Sequence, residues 1–209
     1  MGCKRIMSNK EYYNNVNYFE KVSEQIKLLK NEINAINKLT QLIFDCDLRG
    51  NKVLVAGNGG SNSDAEHFVG ELVCTFLDRD RDPISAINLS SNTAAITAWS
   101  NDFSYETYML RQVKAYGKKG DVLILLSTSG GSYKNNTSIN LLKACEEANN
   151  LGINTFSLIG RDGGELKKIS KNAIIIKSNS TSIIQECHMS ILHAICNNLE
   201  VMMKKNKDC

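Results

Sequence analysis

The chain has 209 residues, of which 42% are hydrophobic and 22% charged, and its formal net charge is +3. This length is enough to bury a substantial core, so one domain over residues 1–209 is expected, with residues 1–48 as a helical extension. The small charge and the scattered Lys and Arg residues argue against nucleic acid as a partner. No apolar run is long enough to cross a membrane, and the N-terminus lacks the hydrophobic segment of a signal peptide.

The first predicted element is a long helix over residues 10–47, where apolar residues recur every three or four positions. This apolar stripe consists of Val22, Ile26, Leu29, Ile33, Ile36, Leu39 and Ile43. Such a stripe must be buried against the domain or against a second subunit, so an oligomer is expected.

After this helix, short β-rich segments alternate with helical ones. Strands are predicted over residues 52–56, 84–89, 121–126, 154–159 and 173–177. Helices are predicted over residues 62–75, 92–99, 134–148, 164–170 and 182–203. This alternation predicts an α/β fold with a five-stranded parallel sheet and helices on both faces. In such folds ligands bind beyond the carboxyl ends of the strands.

Two loops at predicted strand ends have an unusual composition. The first reads Gly57-Asn58-Gly59-Gly60-Ser61, the second reads Ser127-Thr128-Ser129-Gly130-Gly131-Ser132, and each is predicted to run into a helix. Small residues let backbone N–H groups converge, hydroxyls add donors, and a helix N-terminus favours an anion. The alternative is a tight turn whose Ser or Thr caps the helix. Neither loop has a nucleotide-binding pattern, so a phosphorylated small molecule is favoured over a nucleotide.

All three histidines of the chain lie on two predicted helices. His67 and Glu71 are four residues apart and therefore share one helix face. The last helix carries Gln185, with His188 about 60° to one side of it and His193 about 80° to the other, so spacing does not choose between them. A helix-face hydrogen bond and a core histidine are the alternatives to a reactive site. The seven cysteines include no Cys-x-x-Cys pair, which indicates free thiols and a cytoplasmic location.

Four segments together resemble the sugar-isomerase (SIS) family, and more narrowly its sedoheptulose-7-phosphate (phosphoheptose) isomerases. They read VAGNGGSNSDAEHFVGEL, SNDFSYE, LSTSGGS and IIQECHMSILHAI. The resemblance extends over nearly the whole chain and implies a single SIS-type domain. It also implies conversion of D-sedoheptulose 7-phosphate to D-glycero-D-manno-heptose 7-phosphate for lipopolysaccharide or capsule heptose. The expected assembly is a homotetramer with sites near the subunit interfaces.

The same resemblance assigns roles to individual residues. It implies that Glu71 and His193, rather than His188, act as the acid/base pair of an enediol mechanism. It implies a zinc ion held by His67, Glu71, Gln185 and His193. It places the sugar phosphate against Asn58, Gly59, Gly60, Ser61, Asn101, Asp102, Ser127, Thr128, Ser129, Ser132 and Gln185. Without the family, Asp102 is equally well interpreted as a turn residue.

The sequence departs from the family pattern at a few positions. Thr75 stands where many relatives have Arg, and Arg79 and Arg81 are candidates to compensate. A second Arg that many relatives carry just before the Ile-Gln-Glu run is also absent. These differences bear on substrate selectivity. Two alternatives remain: a non-catalytic SIS protein that binds a partner such as the replication initiator, or an isomerase of another sugar phosphate. The complete acid/base set favours the enzyme.

Overall fold

The computed structural model describes residues 15–207, and its centre is one sheet of five parallel strands. The strands are β1 (Val53–Gly57), β2 (Ala86–Asn88), β3 (Val122–Ser127), β4 (Asn154–Gly160) and β5 (Asn172–Ile176). Their spatial order is β2-β1-β3-β4-β5, so the two strands that precede the predicted loops are neighbours in the sheet. The predicted five-stranded parallel sheet is confirmed.

Eight α-helices surround the sheet within residues 15–207. They are α1 (Asn15–Leu28), α2 (Ile33–Leu48), α3 (Gly60–Val73), α4 (Thr93–Asp102), α5 (Tyr105–Tyr116), α6 (Ile139–Asn150), α7 (Leu166–Ile169) and α8 (Thr181–Lys207). The predicted long N-terminal helix is present from residue 15 onwards, with a short 3₁₀ turn over Leu29–Glu32 separating α1 from α2. Residues 10–14 of that prediction lie outside the described part of the chain. Helix α5 was not predicted.

The core lies on both faces of the sheet because the central strands are apolar on both sides. In β3, Val122, Ile124 and Leu126 belong to one cluster, whereas Leu123 and Leu125 belong to the other. Helices α2, α3 and α8 cover the first face, and α5 and α6 cover the second. Strands that are buried on both sides are typical of parallel sheets, which is why their sequences read as continuous apolar runs.

The apolar stripe of the N-terminal helices is only partly covered in the single chain. Ile36, Leu39 and Ile43 are buried against the sheet, and Val22 and Leu29 are partly buried. Ile26 and Ile33 remain exposed, as does Phe19. None of the helices between residues 15 and 207 combines the length and apolarity that a membrane span requires. The five cysteines in this range are free thiols.

Candidate functional site

The loop between β1 and α3 is held by side chains from the opposite face of the sheet. Helix α3 begins at Gly60, two residues earlier than predicted, and Gly59 has a left-handed backbone with φ of +54°. The side-chain amides of Asn58 and Asn140 donate to each other's oxygens at 3.0 and 2.8 Å. The Tyr105 hydroxyl also donates to Asn58, at 3.0 Å. Asn58 therefore links the loop to α5 and α6.

The serine-rich loop after β3 folds back on itself rather than entering a helix directly. The Ser127 hydroxyl accepts a hydrogen bond from the backbone N–H of Gly130 at 3.0 Å. Ser132 pairs with Thr137 in an isolated antiparallel bridge, and α6 begins only at Ile139. The prediction of a helix from residue 134 was wrong because Asn136 and Ser138 adopt left-handed backbone angles, which no helix continues through.

A third loop, Gly160-Arg161-Asp162-Gly163-Gly164 after β4, packs against the serine-rich loop. The backbone N–H of Leu166 donates to the carbonyl of Gly130 at 2.9 Å. The two backbones lie so close that a Cβ added at Gly130 would be 2.0 Å from the carbonyl oxygen of Gly163. The role of this loop was not predicted, although a glycine-rich segment at the carboxyl end of a predicted strand is a recognisable signal for it.

The serine-rich loop and this third loop form the two walls of a cleft of about 970 Å³. One wall contains three residues with hydroxyl groups, Thr128, Ser129 and Ser132. The opposite wall contains Arg161 and Lys167. The remaining lining residues are Gly131, Asn135, Thr137, Asp162, Gly164, Glu165, Lys168 and Asn179. Hydroxyl donors facing cationic side chains are the chemistry that binds a phosphate.

A second group of functional side chains is formed by α3 and α8. His67 Nε2 lies 3.0 Å from Glu71 Oε1, and the rings of His67 and His193 are 5.3 Å apart. One ligand atom from each of His67, Glu71 and His193 falls within 4.8 Å of the others. The ring of Phe76 stacks on His193 with a centroid distance of 5.7 Å. The His67 side chain is half exposed, so the group is open to a ligand.

The structure distinguishes the two histidines that the sequence could not. His188 is fully buried, and this burial lowers the pKa of its ring to about 4. His193 lies beside His67 and Glu71. His188 is therefore a neutral core residue at physiological pH, and His193 is the histidine of α8 that faces the group on α3.

Other residues that the resemblance assigned to the site lie elsewhere in the single chain. The Gln185 amide lies over Gly60, because a Cβ added at Gly60 would be 2.3 Å from its Nε2 atom. Eight residues separate Gln185 from His193, which is about 12 Å along the helix axis. Asn101 donates to Asp102 at the exposed end of α4. Neither Asn101 nor Asp102 lines the cleft.

The donor set on α3 and α8 fits a zinc ion in chemistry and spacing. Two imidazole nitrogens and a carboxylate oxygen are ligands that zinc accepts, and three protein ligands leave a position for substrate. Ligands of one tetrahedral zinc ion lie about 3.3 Å apart, so donor atoms within 4.8 Å of one another need only a small closure.

Comparisons with known proteins identify the family of the chain. The model of the SIS domain family matches residues 17–160, so the chain belongs to that family. The phosphoheptose isomerase of Helicobacter pylori strain Shi470 is 48% identical over 149 residues, which are 71% of this chain and 74% of the relative. A probable phosphoheptose isomerase of Thermoplasma volcanium is 42% identical over 165 residues, covering 79% of this chain and 81% of the relative.

Solved structures give the same result at the level of the fold. Phosphoheptose isomerase GmhA from Neisseria gonorrhoeae matches with a TM-score of 0.81 at 28% identity, covering 89% of this chain and 96% of that one. A phosphoheptose isomerase from Francisella tularensis has a TM-score of 0.81 at 31% identity, with 92% and 98% covered. Within the SIS family the chain thus groups with the phosphoheptose isomerases, and it is an enzyme of the sugar-phosphate isomerase class.

Proposed function

We propose that the protein converts D-sedoheptulose 7-phosphate to D-glycero-D-manno-heptose 7-phosphate. The observation that carries the proposal is the approach of Glu71 and His193, from two helices far apart in sequence, to within 4.8 Å of each other. An isomerase of this type needs a base and a second proton-transferring group over adjacent carbons. A protein that only binds a sugar phosphate has no need of that pair.

In this mechanism Glu71 removes a proton from C1 of the ketose and returns it to C2. His193 moves the accompanying proton between the oxygens on C1 and C2, so that an enediol forms and decays to the aldose. His67 Nε2 lies 3.0 Å from Oε1 of Glu71, which leaves Oε2 for the proton transfer. His67 thereby orients the carboxylate of the base.

We also propose that His67, Glu71 and His193 hold a zinc ion. The family resemblance adds Gln185 as a fourth ligand, but in the single chain its amide lies over Gly60, about 12 Å along α8 from His193, so the proposed set is these three residues. When bound, the ion supplies a positive charge that stabilises the negative oxygen of the enediolate. A carboxylate that binds zinc is a weaker base, so the interaction of Glu71 with the ion is expected to be weak during turnover.

The cleft after β3 is the proposed place for the phosphate. Thr128, Ser129 and Ser132 donate hydrogen bonds to it in this proposal, and Ser127 shapes the loop through its bond to Gly130. Arg161 and Lys167 face it from the other wall. The roles of Asn58, Gly59, Gly60, Ser61, Asn101, Asp102 and Gln185 in holding the sugar remain part of the proposal.

Further proposals concern the domain organisation, the assembly and the location of the protein. We propose that residues 1–209 belong to one SIS domain, in which residues 1–48 are the extension expected to pack against the domain or a partner subunit. The exposed Phe19, Ile26 and Ile33 favour an oligomer, for which we propose a homotetramer. We also propose a cytoplasmic location, which the free thiols favour, and a role in heptose supply for surface polysaccharides, which the family resemblance implies.

Incubation of the protein with sedoheptulose 7-phosphate, followed by NMR of the sugar, tests the reaction. Glu71→Gln should lower kcat by about 10²- to 10⁴-fold because it removes the base. Glu66→Gln changes an exposed carboxylate on the same helix and should leave the rate unchanged. Full turnover by Glu71→Gln would remove Glu71 as the base. Absence of turnover in the wild type, with retained binding of the sugar phosphate, would favour the binding protein instead.

Metal analysis of protein purified without chelators tests the zinc proposal separately. About one zinc ion per chain is expected, and His67→Ala should lose it while the fold is retained. The ligand set would be contradicted if the purified protein contained no zinc, and if added zinc neither bound to it nor stimulated its activity.

A further inference from the structure

Glu200 on α8 holds the segment that follows α3. Its carboxylate accepts hydrogen bonds from the backbone N–H groups of Phe76, Leu77 and Asp78, each at 3.1 Å. The Glu200 side chain is buried, so these bonds form away from solvent. Three consecutive N–H groups directed at one buried carboxylate fix the backbone of this segment.

Arg81 joins the same segment to the end of α3. Its Nη2 donates to the carbonyls of Glu71 and Cys74 at 2.6 and 3.2 Å, and its Nη1 donates to that of Leu72 at 3.1 Å. Its Nε lies 3.4 Å from Glu200 Oε1. Arg81 thus satisfies carbonyls that α3 leaves without intrahelical partners. It is committed to this role and is not free to replace the family arginine at the position of Thr75.

The Arg81–Glu200 pair is linked by contacts to both residues that are proposed to react. Arg81 binds the backbone carbonyl of Glu71 itself. Glu200 follows His193 by seven residues, about two turns, so both lie on one face of α8. The segment that Glu200 holds places the ring of Phe76 against the ring of His193, on which it stacks. Both the carboxylate and the imidazole are therefore connected to one buried ion pair.

We propose that Arg81, Glu200 and Phe76 are positioning residues that fix the Glu71 backbone and the plane of the His193 ring for proton transfer. This inference rests on the proposed function of Glu71 and His193. The pair acts through backbone groups and one aromatic contact, and neither residue lines the cleft proposed for the phosphate. Loss of the pair should therefore reduce the rate of the chemical step more than the binding of the sugar phosphate, whose cleft lies between other loops.

Two variants test the positioning role. Phe76→Leu removes the stacked ring and keeps the ion pair. Arg81→Lys keeps the charge, so Glu200 is not left unpaired, but loses the several donors of the guanidinium group. Each should lower kcat for sedoheptulose 7-phosphate by about 10- to 100-fold, the loss typical of a misplaced reacting group. KM should change by less than about threefold, because the residues that bind the sugar phosphate are unchanged.

Asp121→Asn is the matched control for lost stability. Asp121 is also a buried carboxylate that accepts from backbone N–H groups, those of Lys52 and Lys118, and pairs with the Lys52 ammonium at 2.8 Å. It lies just before β3, at the opposite end of the sheet from the loops. Leu77→Ala is the control for the segment, because this side chain is 70% exposed and its N–H group is retained. Both controls should keep kcat when assayed well below their Tm.

An NMR readout separates this inference from the proposed reaction. The chain has three histidines, so the Hε1 signal of His193 can be assigned by substitution. Phe76→Leu should shift that signal because the ring above it is lost, and Arg81→Lys should shift it in the same direction. The controls should leave it in place. An unmoved His193 signal in folded Arg81→Lys, or an equal loss of kcat in Asp121→Asn, would overturn the proposal. If the wild type lacked the activity, the NMR result would still decide whether the pair positions His193.

Discussion

Substitution of Gly60 by alanine should separate activity from stability in this protein. Gly60 is the first residue of α3, and the Gln185 amide lies over it. An added Cβ would be 2.3 Å from Gln185 Nε2 and 3.1 Å from its Cδ. Since atoms of this kind prefer about 3.5 Å, the amide must move by about 1 Å.

The fold should tolerate this change. The obstructing atoms belong to the end of a flexible side chain, and Gly60 is not among the glycines with positive φ. Alanine in a helix is favoured over glycine by up to about 1 kcal/mol, which offsets the cost of moving the amide. We therefore expect the free energy of unfolding to change by less than about 1 kcal/mol. The proposed role of Gln185 requires its position, so kcat/KM should fall at least about tenfold.

The assay combines thermal unfolding with turnover of sedoheptulose 7-phosphate by Gly60→Ala. Gly70→Ala on the same helix is the control, because nothing lies within 4 Å of a Cβ added there. That variant should be slightly stabilised and fully active. A folded Gly60→Ala protein with unchanged kcat/KM would refute the role of Gln185 in the site.

Two further predictions concern stability. Gly130→Ala places a Cβ 2.0 Å from the Gly163 carbonyl oxygen at a φ of +74°, where backbone rather than side chain must move. Urea unfolding should show a loss of about 3 kcal/mol, and unchanged stability would contradict the close approach of the two loops. Burial lowers the pKa of His188 from 6.5 to about 4, so below pH 6.5 the unfolded chain takes up a proton there that the folded chain does not. Stability should therefore fall by up to about 3 kcal/mol between pH 6.5 and 4, and His188→Leu should remove that part of the slope in unfolding curves measured across this range.

The sheet could be predicted from sequence because its strands are short apolar runs separated by helical segments. Helix α5 was missed although Ser104, which accepts a hydrogen bond from the N–H of Glu106, is a recognisable cap at its start. The break after the serine-rich loop could not be predicted, since Asn136 and Ser138 adopt left-handed angles that their residue types permit but do not require.

The candidate site was predictable in its local parts and not in its long-range ones. Spacing alone placed His67 and Glu71 on one face of α3. The choice of His193 over His188 depends on which side of α8 packs into the core, and only the family resemblance pointed to it beforehand. The role of Glu200 depends on contacts between residues more than a hundred positions apart, with the N–H of Phe76 and with Arg81. No local pattern carries such information.

Helix α8 has 27 residues and carries Gln185, His188, His193 and Glu200 on a single rigid rod. Inserting or deleting one residue between the first and last of these would rotate one part by about 100° relative to the other. A histidine would then leave the core or a carboxylate would lose its backbone donors. Changes in the length of the stretch from 185 to 200 should therefore be absent among functional relatives of the protein.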